Sequence, residues 1–167
     1  MLVDLYSKKV FNMAFQFTGS YQESEDLTQD IFVKLYRSLD KFEQGKSFTA
    51  WLLTLAKNYL IDEYRRTKWE KKSRDDFEDC LPTLAGRDDP ERGLAEEEAR
   101  ALLWKGLNKL PADIRMAIIL KEIQGKKYEE AAEITGVPVG TVKSRVNRGR
   151  LQLAQILKDA KEGDHEL

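Results

Sequence analysis

The sequence predicts an all-α protein of two small helical domains, an N-terminal helical bundle and a C-terminal helix-turn-helix domain, joined by a flexible acidic linker. Three observations predict it. Apolar residues recur at helical spacing through most of the chain. No run of alternating β-branched residues is long enough to build a sheet. Residues 67–95 interrupt the periodicity with Pro82, Gly86, Pro90 and Gly93 and with the acidic pairs Asp75-Asp76 and Asp88-Asp89. The expected division is therefore a bundle over 1–66, a linker over 67–95 and a second module over 96–160; a chain of 167 residues suits two such domains.

Each element has its own signal. A first helix runs from about Leu5 to Phe17 and stops near Gly19. A second runs from about Glu23 to Leu39, with Leu27, Ile31 and Leu35 turned inward. The third is the clearest: Phe48, Trp51, Leu52, Leu55, Ala56, Tyr59 and Leu60 form one apolar stripe, and Ser47 is placed to cap it. Its opposite face carries Thr54, Lys57, Asn58, Asp62 and Arg65. The spacing assigns Trp51 and Tyr59 to packing. Beyond the linker, helices are expected over Ala95–Lys109, Ala112–Ile123, Tyr128–Ile134 and Pro138 to about Lys158, punctuated by Pro111 and Gly125. Pro138 suits the first turn of a helix, where its missing N–H costs nothing.

Composition narrows the function classes. The formal net charge is −1, so no global field draws the chain to nucleic acid. The charge is uneven. Residues 1–66 hold nine basic and nine acidic side chains, 67–100 seven and eleven, and 101–167 twelve and nine, so the positive excess lies in the second module. Cys80 is the one cysteine, which excludes an intrachain disulfide and a paired-thiol metal site. His165 is the one histidine and sits in an acidic tail, which argues against Ser-His or Cys-His catalysis. No catalytic residue, metal site, cofactor or small-molecule substrate is expected. With no span-length apolar run and no signal peptide, the expected compartment is the cytoplasm.

The most informative stretch is 137–150. It reads as the start of a helix, carries Lys143, Arg145, Arg148 and Arg150, and has no acid. The short helical pattern before it is joined by Thr135-Gly136-Val137. Two helices meeting at a glycine turn, the second one basic, is the arrangement that sets a recognition helix in the DNA major groove. Val142, Val146, Gly149 and Leu153 share the face toward the domain, with Gly149 permitting close approach. Lys143, Ser144, Asn147 and Arg148 face away and can bond bases or phosphates. An ordinary solvated basic face would show the same charges; the glycine turn and the absence of acids favour DNA.

These residues also carry a family resemblance. Leu110-Pro111, Arg115 and Leu120, then Gly125–Ala132 and Val139–Arg145, resemble region four of extracytoplasmic-function (ECF) bacterial RNA polymerase sigma factors. Glu25–Phe32, Phe42, Phe48–Leu52, Ala56-Lys57-Asn58, Asp62 and Arg65-Arg66 resemble their region two. The resemblance covers nearly all of residues 5–157 in order. It implies a sigma factor with three partners: core RNA polymerase, promoter DNA and an anti-sigma factor. It implies polymerase binding by Asp26, Gln29 and Asp30. It implies −10 element recognition and melting by Phe42, Lys46, Ser47, Asn58, Arg65 and Arg66, the two arginines on phosphate. It implies −35 reading by Thr141, Lys143, Ser144, Arg145, Asn147 and Arg148. The linker acids would serve either as a mimic of nucleic acid in the polymerase channels or as a soluble tether.

The chain departs from the family pattern in three places. The family usually has a further helical stretch before the position of Leu5, which implies a shortened N-terminus. Lys127 stands where a capping serine is common, and losing such a cap costs ~1 kcal/mol. Ala131 and Thr135 replace larger apolar residues, which implies a less stable second module. Two other readings of the residues remain open: a dimeric operator-binding regulator whose bundle receives a signal, and a helical interaction protein with no nucleic-acid partner.

Overall fold

The structure is a computed structural model that describes residues 2–72 and 93–165. Every regular element among the described residues is helical. The first module consists of α1 (Leu2–Thr18), α2 (Tyr21–Ser38) and α3 (Phe48–Lys72). The second consists of α4 (Leu94–Lys109), α5 (Ala112–Ile118), α6 (Tyr128–Thr135) and α7 (Val139–His165).

In the first module α1 packs along α2, and α3 crosses both. Its core is Val10, Met13, Phe17, Ile31, Leu35, Leu52, Ala56 and Leu60, all essentially inaccessible. Gly19 ends α1 in the left-handed region, at φ 73°. Ser20 then caps α2 by accepting from the Glu23 amide. Ser47 caps α3 in the same way, accepting from the Ala50 amide at 3.2 Å. A 3₁₀ turn, Leu39–Lys41, leads into the loop before α3.

α3 continues past Arg66 to Lys72, beyond the expected start of the linker at residue 67. The segment Thr67–Lys72 contains neither glycine nor proline, so nothing in it stops the helix. The linker acids from Asp75 to Asp89 lie outside the described residues. α7 likewise runs on to His165, past the expected end near Lys158.

In the second module α5 passes into a wider π turn, Ile119–Ile123, and Gly125 ends it at φ 68°. α6 follows, then Gly136 at φ 71°, then α7, giving the expected helix-turn-helix. Lys127 stands at the N-cap of α6 and supplies no side-chain cap. Gly149 is the closest approach of α7 to α5: a Cβ there would lie 2.5 Å from Ile118 Cγ1. Gly106 plays the same part between α4 and α7, where a Cβ would meet Leu153 Cδ1 at 2.6 Å.

The two modules also pack against each other, mainly through α3 on α6 and α3 on α5. This was not legible in the apolar stripe of α3. Leu53 and Ile61, on the face expected to be polar, are only 3% and 6% exposed. They belong to a second buried stripe, together with half-buried Lys57.

Candidate nucleic-acid interface

α7 presents the groups that the sequence assigned to DNA. Val142 and Val146 are inaccessible and anchor the helix, with Gly149 between them and α5. Lys143, Ser144, Asn147 and Arg148 are exposed on the outward face, while Thr141 and Arg145 are half-buried. Lys143 Nζ lies 5.4 Å from the centre of the Tyr128 ring. Lys121 Nζ lies 4.5 Å from the centre of the same ring, so two cations share one aromatic ring. Arg150 is different from its neighbours. Its guanidinium pairs with Glu122, so it belongs to the scaffold of the second module.

In the first module the loop before α3 is held by an aromatic cluster. Phe42 meets Phe48 edge-on, with centroids 5.3 Å apart. Its ring also lies 5.4 Å from that of Trp51. Phe42 is thus packed rather than free, and Trp51 packs as its spacing indicated. Lys46 and Ser47 stay exposed at the loop's end. Lys46 pairs with Glu43 at 2.8 Å, which raises the lysine pKa and lowers that of the carboxylate. Asn58, Arg65 and Arg66 are exposed along the next turns of α3. Arg66 is bound to Glu63, one helical turn away, at 2.8 Å. Arg65 instead reaches the second module and pairs with Asp113 at 3.1 Å.

Asp26, Gln29 and Asp30 are exposed along α2. Asp30 has a further task, since it accepts the Tyr59 hydroxyl proton at 2.9 Å. Burial, followed by the bond to Asp30, pushes the Tyr59 phenol up to about 12. Ser7, Phe11, Thr28 and Gln29 line an open groove between α1 and α2 beside these acids.

Arg115 carried part of the family resemblance, but the sequence assigned it no role. It is 2% exposed, and its guanidinium donates to the carbonyls of Asn108 (2.8 Å), Leu110 (3.1 Å) and, across the module boundary, Phe17 (3.1 Å). The guanidinium carbon lies 4.8 Å from the centre of the Phe17 ring and 4.6 Å from that of Tyr64. Both distances suit a cation over an aromatic face. Arg115 Nε has no partner. Burial lowers its pKa, and Tyr64 partly opposes the shift.

The fold and these surfaces define a two-module helical protein that presents a basic recognition helix from its second half. Comparison with known proteins makes the class specific. Residues 2–70 match Sigma-70 region 2, and residues 100–153 match Sigma-70, region 4. The chain is 36% identical over 157 residues to the ECF RNA polymerase sigma-E factor of Escherichia coli, a match covering 90% of this chain and 81% of that protein. It is 33% identical over 164 residues to the RNA polymerase sigma-H factor of Pseudomonas aeruginosa, covering 95% and 85%. Among solved structures it superimposes on the sigma factor RpoE in complex with the anti-sigma factor NepR from Bartonella quintana, with a TM-score of 0.72, 33% identity and coverage of 93% and 94%. The chain belongs to the ECF RNA polymerase sigma factors. Such a factor binds core RNA polymerase and directs transcription initiation at its promoters. Among the described residues no helix is long and apolar enough to cross a membrane.

Proposed function

We propose that the two modules divide promoter recognition between them, as a cytoplasmic initiation factor without catalytic chemistry of its own. The second module reads the −35 element. Its outward face offers Lys143, Ser144, Asn147 and Arg148 to base edges and phosphates, with Thr141 and Arg145 at its margin. The observation that carries this reading is the division of α7 into a buried apolar face and an exposed face carrying no acid from Thr141 to Arg148.

The first module engages the polymerase and the −10 element. Asp26, Gln29 and Asp30 form an exposed polar row on α2, suited to a basic, hydrogen-bonding protein surface. Ser47, Lys46 and Asn58 offer donors and acceptors beside the loop of Phe42, where an unstacked base can be held. Arg65 and Arg66 supply charge for phosphate. An anti-sigma protein fits as a further partner, because the superimposed RpoE is bound to one.

Run-off transcription with core polymerase and a promoter library tests the whole. Discrete start sites are expected only when the protein is added. An Asp26→Ala/Gln29→Ala variant should co-purify less with the core enzyme at unchanged helical content. This pair spares Asp30, which also holds Tyr59. Unspecific initiation, or undiminished retention of that variant, refutes the assignment.

A further inference from the structure

Of the polar row on α2 proposed to face the polymerase, only Asp30 is held in place among the described residues. Asp26 and Gln29 are exposed, and their side chains have no partner there. Asp30 is tied across to α3, where the Tyr59 hydroxyl donates to its Oδ2 at 2.9 Å. An aspartate on an exposed helix face otherwise samples several rotamers, and a partner that needs one of them must freeze it on binding. The bond to Tyr59 fixes the carboxylate beforehand. It occupies Oδ2 and leaves Oδ1 to accept from a partner.

The surroundings of Tyr59 keep this arrangement in one form. Its ring is half-buried and packs against the core, so the hydroxyl is delivered from a rigid base. Burial, then the bond to Asp30, raises the phenol to about 12, with Glu63 adding to the effect and Arg66 opposing it. Near neutral pH the group is therefore a donor and never a competing anion. Lys34 follows Asp30 by one turn of α2, the spacing at which a lysine commonly pairs with an acid. Its ammonium lies instead 5.1 Å from the centre of the Tyr59 ring, and it forms no ion pair with Asp30 among the described residues. The ring thus draws a competing cation aside, and the charge of Asp30 stays unpaired at the surface.

We infer that Tyr59 is a positioning residue for polymerase binding: its hydroxyl fixes the Asp30 carboxylate and its ring holds Lys34 aside, so that Asp30 presents a free oxygen and an unpaired charge to the core enzyme. This rests on the polymerase role proposed above for Asp30. The spacing of α3 assigned Tyr59 to packing, and its ring does pack; the hydroxyl has this further task.

Competition of full-length variants with labelled wild-type protein for core RNA polymerase tests the role. Tyr59→Phe keeps the ring and removes only the donor. It should weaken binding by about two- to tenfold, the range for a side chain frozen on binding instead of beforehand. 4-Aminophenylalanine at position 59 restores a donor at the same place and should return most of the affinity; O-methyltyrosine, which has none, should not. A merely structural hydroxyl would lower the melting temperature of Tyr59→Phe and leave its affinity for the polymerase alone. Asp30→Ala should also weaken binding, and Tyr59→Phe should then add nothing, because the hydroxyl acts through that carboxylate. If Asp30→Ala binds more weakly but Tyr59→Phe binds as wild type, the positioning role is overturned and the polar row stands. Equal losses from Tyr59→Phe with and without Asp30 overturn it too. If Asp30→Ala binds as tightly as wild type, the place of Asp30 in the row falls, and the role of Tyr59 falls with it. Wild-type protein that does not bind the core enzyme overturns the function proposed above.

Discussion

Gly149→Ala is the sharpest test of how α7 is seated. A Cβ at this position meets Ile118 Cγ1 at 2.5 Å, Ile118 Cδ1 at 2.7 Å and Ile114 Cγ2 at 3.0 Å. Ile118 is 3% exposed and enclosed by the core, so it has little room to yield. Overpacking of this kind costs ~1–3 kcal/mol. Alanine returns ~1 kcal/mol through its better helix propensity. The net expectation is a loss of up to ~2 kcal/mol, or a fall in melting temperature of up to ~4–8 °C for a chain of this size. Gly140 is the internal control. It lies on the same helix, with nothing within 4 Å of an added Cβ. Gly140→Ala should therefore gain ~0.4–1 kcal/mol and melt slightly higher. Thermal unfolding followed by circular dichroism separates the two. A double-mutant cycle adds the cause. Ile118→Ala alone should cost ~2–5 kcal/mol. Combined with Gly149→Ala, the losses should fall short of their sum, because the opposing atoms have gone. If Gly149→Ala proves as stable as Gly140→Ala, or the cycle is additive, the close approach of α5 and α7 has been misjudged.

Two further outcomes are expected. Lys143→Ala and Arg148→Ala should each weaken binding to a promoter fragment, in one of two distinguishable ways. A base contact costs ~1–3 kcal/mol and relaxes preference at one position, whereas a phosphate contact weakens all sequences alike and reduces the salt slope by about one; a triple Ala variant that also includes Arg145 and leaves promoter selection unaltered defeats the reading. Tyr59 gives the pH test. Its ordinary value of 10.0 is raised to about 12 in the folded protein, so its contribution to stability is complete below pH 10 and disappears as pH rises through 12. Tyr59→Phe should accordingly flatten the loss of stability between those values and remove the phenol that ionises at about 12 from an ultraviolet titration; an unchanged alkaline profile means that burial and the bond to Asp30 do not hold this phenol neutral in solution.

Much of the fold was legible because its signals are local. Ser47 and Gly136 act within a few residues of their own positions, and both perform the capping and turn roles that their chemistry suits. The separation of Val142, Val146 and Gly149 from Lys143, Ser144, Asn147 and Arg148 follows from helical periodicity alone, and the structure reproduces it. The outward placement of Asp26, Gln29 and Asp30 on α2 follows from the same spacing. The end of α3 was less legible. The residues that mark the linker begin only at Asp75, and Thr67–Lys72 contains no residue that breaks a helix.

The sequence by itself determined which residues share a helix face, where most helices begin and which of them turns a basic face outward. Only the tertiary structure decided what each charged group does. Arg150, read as part of the basic stretch, is paired with Glu122, 28 positions away. Arg65 meets Asp113, 48 positions away, and Arg115 caps Phe17, 98 positions away. Leu53 and Ile61 are buried because α3 serves two modules at once, whereas a single amphipathic stripe serves only one. The physical reason is the range of the interactions. Periodicity and capping depend on neighbours within a turn or two. Burial of a cation, or of a second apolar stripe, depends on which distant segment covers it, and no spacing along the chain encodes that.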